Sequence, residues 1–296
     1  MEQTGTVTSN RIYKARIFEM IFSDKKELLA LYNAVNKTDY DILELLEINT
    51  LQNAIYMSMK NDVSFIIDSR LSLYEHQSTY SPNLPLRYLL YVSDIYANIT
   101  KNENLYGRKV INIPPPRFLI FYNGRDPFPD RMILKLSDMY SVKEDEISLE
   151  LTALMLNINP DYNPELLNAC KTLKDYSLYT ARVREYADRM SLEDAVEQAI
   201  TECVKEGILS EFLSKNRAEA KRMSIYEYDE ERHMRQTRAE GYEEGEAAGM
   251  AKGKVLATQR LNRLNQLLAE QNRTEDIVKA AGNEEYQKKL LEEFEL

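Results

Sequence analysis

The stretch NDVSFIIDSRLSLYEHQSTYSPNLPLRYLLY, residues 61–91, contains two strand patterns and the start of a helix. Residues 63–67 alternate apolar with weaker positions, as a half-buried strand does. The polar break at 68–70 predicts a turn, and residues 71–77 then alternate again. Two prolines follow, and a helix is expected from residue 86 onward. The stretch therefore predicts a hairpin of strands that leads into a helix.

Strand alternation gives the second strand of this hairpin two different faces. Glu75 and Gln77 share a face with two leucines, whereas His76 points to the opposite face. A carboxylate on a core-directed face is costly unless something binds it. Glu75 is therefore a candidate ligand, and Asp62, at the head of the preceding strand, is a second one.

The order of several motifs resembles the PD-(D/E)XK nuclease superfamily, and within it the recombination-promoting nuclease (Rpn), or transposase-like, family of bacteria. The residues that carry the resemblance are Asn61-Asp62, Tyr74–Thr79, Pro82–Arg87, Phe121–Gly124 and the glycine-spaced tail Gly241–Gly253. The resemblance covers essentially the whole chain, and the order of the motifs is more specific than any one of them. One departure is Gln77, which stands where the superfamily usually has lysine.

The resemblance implies an α/β fold: a PD-(D/E)XK core, with a central mixed sheet flanked by helices, followed by an all-helical C-terminal region. It implies an enzyme, a magnesium-dependent DNA endonuclease linked to recombination or mobile elements. The alternative is a catalytically inactive nuclease-fold protein that acts as a DNA-binding or assembly module. Gln77 keeps this alternative open, because an amide adds no positive charge to the site.

Cleavage of a phosphodiester requires an activated water and neutralisation of charge, which carboxylate-bound magnesium can supply. Asp62 and Glu75 fit as ligands of Mg²⁺, with Mn²⁺ or Ca²⁺ as substitutes in vitro, because magnesium prefers oxygen and keeps several waters. The resemblance adds the backbone carbonyl of His76 as the third ligand. Gln77 can orient the attacking water, and Arg87 offers a cation near the phosphate.

Each candidate also has a structural explanation. Asp62 can close a hairpin turn, and Glu75 can form a salt bridge with a lysine or arginine of a helix. His76 faces away from Glu75, which favours packing over catalysis. Asp68 is a competing carboxylate whose position assigns it to the turn. Glu47, before the first strand, is either an extra acidic ligand or a solvated charge at a helix end.

Composition indicates an intracellular protein with a sizeable core. The chain has 296 residues, of which 44% are hydrophobic. The two cysteines, Cys170 and Cys203, provide no disulfide framework and do not have the spacing of zinc ligands, so we expect a cytoplasmic location. The N-terminus has no apolar signal region, and no run reaches the roughly 20 apolar residues of a membrane span. We therefore expect no membrane partner.

The net charge of −10 argues against nucleic acid as a partner, but its distribution weakens the objection. Residues 101–143 carry 8 basic and 4 acidic residues. A DNA-binding face needs only a local positive field, so this segment is a candidate. An ordinary mixed surface is the alternative. The tyrosines, 20 in all, could stack bases, although most are expected in the core or at interfaces.

Apolar periodicity predicts further elements along the chain. Helices are expected at 12–35 and 86–99, and strands at 51–59, 117–123, 132–136 and 147–156. The order helix, three strands, helix, strand is that of the PD-(D/E)XK core. We expect three regions: a nuclease-like domain at 10–157, a helical extension at 158–215, and a long charged helix with C-terminal helices at 216–296.

The C-terminal region contains a row of glycines. Gly241, Gly245, Gly249 and Gly253 recur every fourth residue within a predicted helix that runs from 217 to about 270. Each glycine costs roughly 1 kcal/mol relative to alanine inside a helix. The row is either a surface for close helix packing or a flexible linker. A leucine stripe at 261–268 needs a burial partner, so we expect a homo-oligomer formed through this region.

Overall fold

The structure is a computed structural model that describes residues 17–48 and 62–296. It is an α/β protein with a six-stranded mixed sheet, flanking helices and a helical C-terminal part. The strands are β1 Leu46–Ile48, β2 Val63–Ile67, β3 Arg70–Gln77, β4 Pro116–Tyr122, β5 Arg131–Lys135 and β6 Thr152–Asn157. The strand expected at 51–59 lies outside the described residues, and the sequence did not predict β1.

Helices precede, interrupt and follow the sheet. The first seven are α1 Ile17–Phe22, α2 Lys25–Asn36, α3 Leu84–Ile99, α4 Pro164–Ala169, α5 Lys171–Ala187, α6 Leu192–Glu206 and α7 Ser210–Lys215. The last three are α8 Arg217–Glu270, α9 Thr274–Ala281 and α10 Glu284–Glu293. The chain is therefore helical throughout its last third, as its sequence predicts.

The strand order in the sheet is β1-β2-β3-β4-β6-β5. The pairs β1–β2, β2–β3 and β5–β6 are antiparallel, whereas β3–β4 and β4–β6 are parallel. The three central strands β3, β4 and β6 thus run in one direction. We call the edge where these three strands begin the amino end of the sheet, and the edge where they finish its carboxyl end.

Each face of the sheet has its own apolar core. One face packs against α1, α2, α5 and α6, and its buried strand residues include Phe65, Tyr74 and Phe121. The other face packs against α3, and there Leu71 and Leu73 are fully buried. Successive residues of β3 therefore go to different cores, because the side-chain period of a strand is two. This alternation is the one that the sequence predicts.

The predicted helix at 12–35 is two helices within the described residues. Asp24 ends the first and caps the second, since its side chain accepts hydrogen bonds from the backbone N–H groups of Lys26 and Glu27. An aspartate at this position satisfies N–H groups that have no partner inside the helix. Ser191 caps α6 in the same way, and Gly207, at a φ of 79°, ends it.

The chain divides into two compact units, and the second comprises His233–Leu296. Neither the expected boundary at 157 nor the one at 215 coincides with this division. The helices of 158–215 share the first core with the sheet, and so does the start of α8, where Ala220 and Met223 are buried. Because α8 contributes to that core, a chain cut at 215 would lose part of it.

The second unit buries the leucine stripe within itself. Leu264 and Leu268 of α8 pack with Ala280 of α9 and Leu290 of α10. These four residues are nearly or fully buried. The stripe therefore has a burial partner inside the chain, which the sequence analysis did not foresee. An argument for self-association that depends on these leucines no longer holds.

Candidate functional site

The turn between β2 and β3 sets the register of the hairpin. Asp68 and Ser69 have φ values of 46° and 58°, and positive φ at both central residues is typical of a type I′ turn. The carboxylate of Asp68 accepts hydrogen bonds from Arg70 at 2.5 Å and from Tyr40 at 2.9 Å. These bonds lower the pKa of Asp68, the one from Tyr40 most. Asp68 therefore belongs to the turn, as its position predicts.

This register brings Asp62 next to Glu75. Val63 pairs with Tyr74 at the start of β2, and one further step in the same register puts Asp62 opposite Glu75. Directly opposed residues of antiparallel strands share a face of the sheet. A hydrogen bond fixes the position, since the backbone N–H of His76 donates to Oδ2 of Asp62 at 2.6 Å.

Both carboxylates are buried, and Glu75 is within reach of a helix cation. Asp62 is 9% exposed and Glu75 is 1% exposed. Nη2 of Arg87, in the first turns of α3, lies 2.5 Å from Oε1 of Glu75. The amide of Gln77 donates to the same oxygen at 3.2 Å. A buried carboxylate requires such partners, because the loss of its hydration is costly.

Tyr91 joins this group from the next turn of α3. Its hydroxyl accepts hydrogen bonds from Nε of Arg87 at 3.2 Å and from Nη2 at 3.1 Å. Residues four apart on a helix are neighbours, so the spacing of Arg87 and Tyr91 in the sequence could have identified the pair. The tyrosines are predicted only as a group, to stack bases or to lie in the core or at interfaces, so Tyr91 is a site residue that sequence reasoning did not single out.

Electrostatic effects indicate that both carboxylates lie on the α3 side of the sheet. Burial would lower the pKa of Arg87, but Glu75, Tyr91 and Asp62 outweigh this effect, and its pKa is raised. Burial and the negative charge of Glu75 raise the pKa of Tyr91 to about 12, and Asp62 adds to the effect. The pKa of Tyr88 is raised well above its ordinary value by burial first, and then by the same two carboxylates.

His76 reaches the site only through its backbone. Its ring stacks on Phe18 at a centroid distance of 5.3 Å, and Nε2 lies 2.9 Å from the hydroxyl of Tyr176. Both partners belong to the core of the opposite face. The side chain therefore packs, as strand parity predicts. The expected role of the His76 carbonyl as a ligand stays a prediction.

The Phe121–Gly124 motif holds the ends of β3 and β4 together. The backbone N–H of Asn123 donates to the carbonyl of Gln77 at 3.1 Å. A Cβ atom at Gly124 would lie 2.2 Å from the carbonyl oxygen of Ser78 and 2.4 Å from the hydroxyl of Tyr122. Such contacts are too short for any side chain, so this position requires glycine. The motif thereby fixes the strand end that carries Gln77.

The donor set suits magnesium better than zinc. Among residues 17–48 and 62–296, no group of three or more His, Cys, Asp or Glu side chains is arranged to hold a metal ion. Two carboxylates with a backbone oxygen nevertheless suit Mg²⁺, which retains several of its waters. Glu47, the other acid considered, is exposed on β1 opposite Ile66, four positions from Asp62 along the chain of β2. Asp62 and Glu75 thus offer the kind of oxygen ligand that this ion prefers.

The basic segment does not form one face around these carboxylates. Six of its cations lie toward the amino end of the sheet: Lys101, Arg108, Lys109, Arg117, Lys135 and Lys143. The other two lie toward the carboxyl end and have partners. Arg125 donates to the carboxylate of Asp188 at 2.8 Å, and Arg131 donates to Oδ1 of Asn163 at 3.2 Å.

A small cavity of about 40 Å³ opens on the other face of the sheet at the carboxyl end. Its walls include His76, Asn123, Arg184 and Glu227, but neither of the two carboxylates Asp62 and Glu75. A cavity of this size holds a few waters. The carboxylates and the cavity are thus separate features of the same sheet edge.

Comparison with models of protein families, with curated proteins and with solved structures finds no match. Within the part of the chain that the structure describes, no helix is both long enough and apolar enough to cross a membrane.

Proposed function

We propose that this protein is a magnesium-dependent DNA endonuclease with a PD-(D/E)XK core, similar to the Rpn family and linked to recombination or mobile elements. The observation that carries the proposal is the pair of buried carboxylates: Glu75 lies on β3, and Asp62, directly before β2, binds the neighbouring backbone N–H of His76. Burial of two acids is unfavourable unless a cation or hydrogen-bond donors compensate it. Such pairs are common at functional sites.

The order of elements supports the same proposal. Helix α2 is followed by the antiparallel strands β1, β2 and β3, then by α3, and then by β4, which pairs in parallel with β3. This is the order helix, three strands, helix, strand of the family that the sequence resembles. Asp62 directly precedes the second of these strands and Glu75 lies in the third, and these are the residues that the resemblance implies as ligands.

Each residue of the site has a specific part in the proposed reaction. Asp62 and Glu75 would hold the metal with the carbonyl of His76, and the metal, when bound, supplies an activated water and charge neutralisation. Gln77 donates its amide hydrogen to Glu75 and keeps its amide oxygen available to accept a hydrogen bond from water. Arg87, whose side chain is 30% exposed, can turn from Glu75 toward a phosphate.

One observation favours the second candidate, a nuclease-fold protein that binds or assembles without cleaving. Arg87 already neutralises Glu75, as the structural explanation of this carboxylate requires. A site whose ion pair is permanent would bind magnesium weakly. Titration with magnesium separates the two candidates, because a protein that binds or assembles without cleaving DNA does not need to bind the ion at these carboxylates.

Nicking of supercoiled plasmid, with and without magnesium, tests the proposal. We expect Asp62→Asn and Glu75→Gln to lose at least about 100-fold in rate, since each removes a charge that the metal requires. Asp68→Asn is a matched control: it removes a carboxylate from the same hairpin, and asparagine tolerates the left-handed backbone there. Equal activity of Asp62→Asn and the wild type would refute the proposal.

The stability of Asp62 variants provides a second readout. Asp62→Ala leaves the buried N–H of His76 without its acceptor, which costs about 1–3 kcal/mol. Asp62→Asn keeps an acceptor oxygen and should cost less. An asparagine variant that is folded but inactive separates the chemical role from the structural one.

Self-association through the C-terminal region is the remaining part of the proposal. Among the described residues, nothing beyond the adjoining turns of α8 itself would lie within 4 Å of a Cβ atom at any of its four glycines, so the space around them is open. Tyr242, Met250, Val255 and Leu256 on the same part of the helix are at least half exposed. A second helix could bury these residues, and paired subunits would suit cleavage of both strands. A monomer at micromolar concentration in sedimentation would contradict this part.

A further inference from the structure

Two neighbouring loops at the amino end of the sheet expose many apolar side chains. The first loop, residues 101–115, connects α3 to β4, and the second, residues 140–150, leads to β6. Because β4 and β6 are adjacent parallel strands, their preceding loops emerge side by side. The exposed fractions are 66% for Leu105, 100% for Tyr106, 79% for Val110, 66% for Val142, 46% for Ile147 and 50% for Leu149.

Single exposed apolar residues are normal on a protein surface, but six on two adjacent loops are not. Neither loop is simply unstructured chain. The hydroxyl of Tyr140 donates to the carbonyl of Leu149, and that of Tyr96 in α3 donates to the carbonyl of Pro114. Tethered loops with outward apolar residues indicate an interaction surface.

The two loops carry opposite charge. Residues 101–115 contain three cations, Lys101, Arg108 and Lys109, and one acid. Residues 140–150 contain Lys143 and four acids, three of which are consecutive at 144–146. Within residues 17–48 and 62–296, no salt bridge joins one loop to the other. Glu150 accepts hydrogen bonds from Ser137, whereas the cations of the first loop and the acids at 144–146 can face a partner.

We propose that this end of the sheet is a self-association surface, on which a second copy of the chain docks about a two-fold axis. In such an interface each subunit uses the same patch. The basic loop of one subunit then meets the acidic loop of the other, twice, and the six apolar side chains are buried between them. Charge complementarity of this kind favours a defined partner and register.

The size of the surface agrees with this partner. The loops contain 15 and 11 residues, and each side of a standard interface contributes about 20–30 residues. Nucleic acid is a poorer occupant, because the acidic run 144–146 would lie beside its phosphates. A dimer formed here also leaves the carboxylates uncovered, since Glu75 lies four residues along β3, about 13 Å, from Leu71, which pairs with Pro116 at the end of the first loop.

The interface is independent of the glycine row of α8 and of any nuclease activity. Its test is a pair of charge-reversed full-length variants, studied by sedimentation at about 0.1 M salt. Variant one, Arg108→Glu/Lys109→Glu, has two acidic loops. In variant two, Glu144→Lys/Glu146→Lys, the second loop becomes basic and the first loop stays basic. Each variant alone should associate at least about 10-fold more weakly than the wild type.

Mixing the two variants is the decisive arm of the experiment. A two-fold interface predicts that the mixture recovers association, because the acidic loops of one variant meet the basic loops of the other. Lys288→Glu/Lys289→Glu, an equal charge change on exposed residues of α10, should behave like the wild type. A monomeric wild type at about 100 μM, unaltered association in either variant, or no recovery on mixing would each overturn the proposal.

Discussion

Two carboxylates of the same hairpin each form a group with an arginine and a tyrosine. The first consists of Asp68, Arg70 and Tyr40, at the turn between β2 and β3. Its carboxylate–guanidinium distance is 2.5 Å, and its side chains are 53% exposed for Asp68 and 43% for Arg70. Water surrounds this pair, so the interaction between the two charges is weak.

The second group consists of Glu75, Arg87 and Tyr91, at the carboxyl end of β3. The carboxylate–guanidinium distance is again 2.5 Å, but the side chain of Glu75 is only 2% exposed. The two pairs have the same geometry and different surroundings. A short contact therefore does not reveal what a pair does: the exposed one closes a turn, whereas the buried one compensates a charge that the core would otherwise exclude.

The largest difference between the groups is expected when the arginine is removed. Arg87→Met leaves Glu75 buried without its cation, which we expect to cost about 3 kcal/mol of unfolding free energy. Urea denaturation at pH 7 without divalent metal measures this cost. Arg70→Met is the matched control and should change little, since its carboxylate keeps its water.

Magnesium sharpens this prediction. If the ion binds Asp62 and Glu75, it replaces the missing positive charge, and Arg87→Met should be stabilised by magnesium more than the wild type is. Equal effects of the two arginine substitutions would mean that Glu75 does not depend on Arg87. If magnesium does not change the stability of Arg87→Met, the proposed metal site loses its support.

Sequence reasoning predicted the parts of this site that depend on strand period. The alternation of β3 put Glu75 and Gln77 on one face and His76 on the other, and the structure has this arrangement. The turn at 68–70 was visible because polar residues interrupt two alternating runs. These features are local, so the order of residues is enough to predict them.

Features that depend on distant contacts are predicted only in outline or not at all. The sequence allows a salt bridge between Glu75 and a helix cation, but it does not single out Arg87, 12 residues away, because the pairing depends on how α3 crosses the sheet. The leucine stripe of α8 is buried by helices that follow it, which periodicity alone does not show. The basic segment 101–143 was judged by its total charge, but strand direction distributes its cations over both ends of the sheet. Sequence patterns predict which residues share a face of a strand or helix, but only the packed structure shows which of these faces contact each other.

The tyrosines of the two groups give the next prediction. The pKa of Tyr91 is raised from 10.0 to about 12, so the folded protein holds this proton more tightly than the unfolded chain does. Its contribution to stability is full below pH 10 and is lost as the pH rises toward 12, with about 1.4 kcal/mol lost by pH 11. Between pH 9 and 11, the unfolding free energy of Tyr91→Phe should therefore fall by about 1.4 kcal/mol less than that of the wild type.

Tyr40→Phe is the control for this measurement. The pKa of Tyr40 is also raised, chiefly by its hydrogen bond to Asp68, but this tyrosine belongs to the solvent-exposed group. Screening by water makes its effect on the pH dependence smaller. If Tyr40→Phe reduces the loss of unfolding free energy between pH 9 and 11 as much as Tyr91→Phe does, burial does not distinguish the two groups.

The smallest expected effect is the response of each pair to salt. Charges in contact with water are screened within about 3 Å at 1 M salt, whereas buried charges are screened much less. Any destabilisation by Arg70→Met at low salt should therefore disappear in 1 M NaCl, while that of Arg87→Met persists. Unfolding free energies of the wild type and both variants, measured at about 0.05 M and 1 M NaCl, provide the comparison. If the Arg87 effect also disappeared in salt, water would have to reach Glu75, and the site would be an open surface pair like the one at the turn.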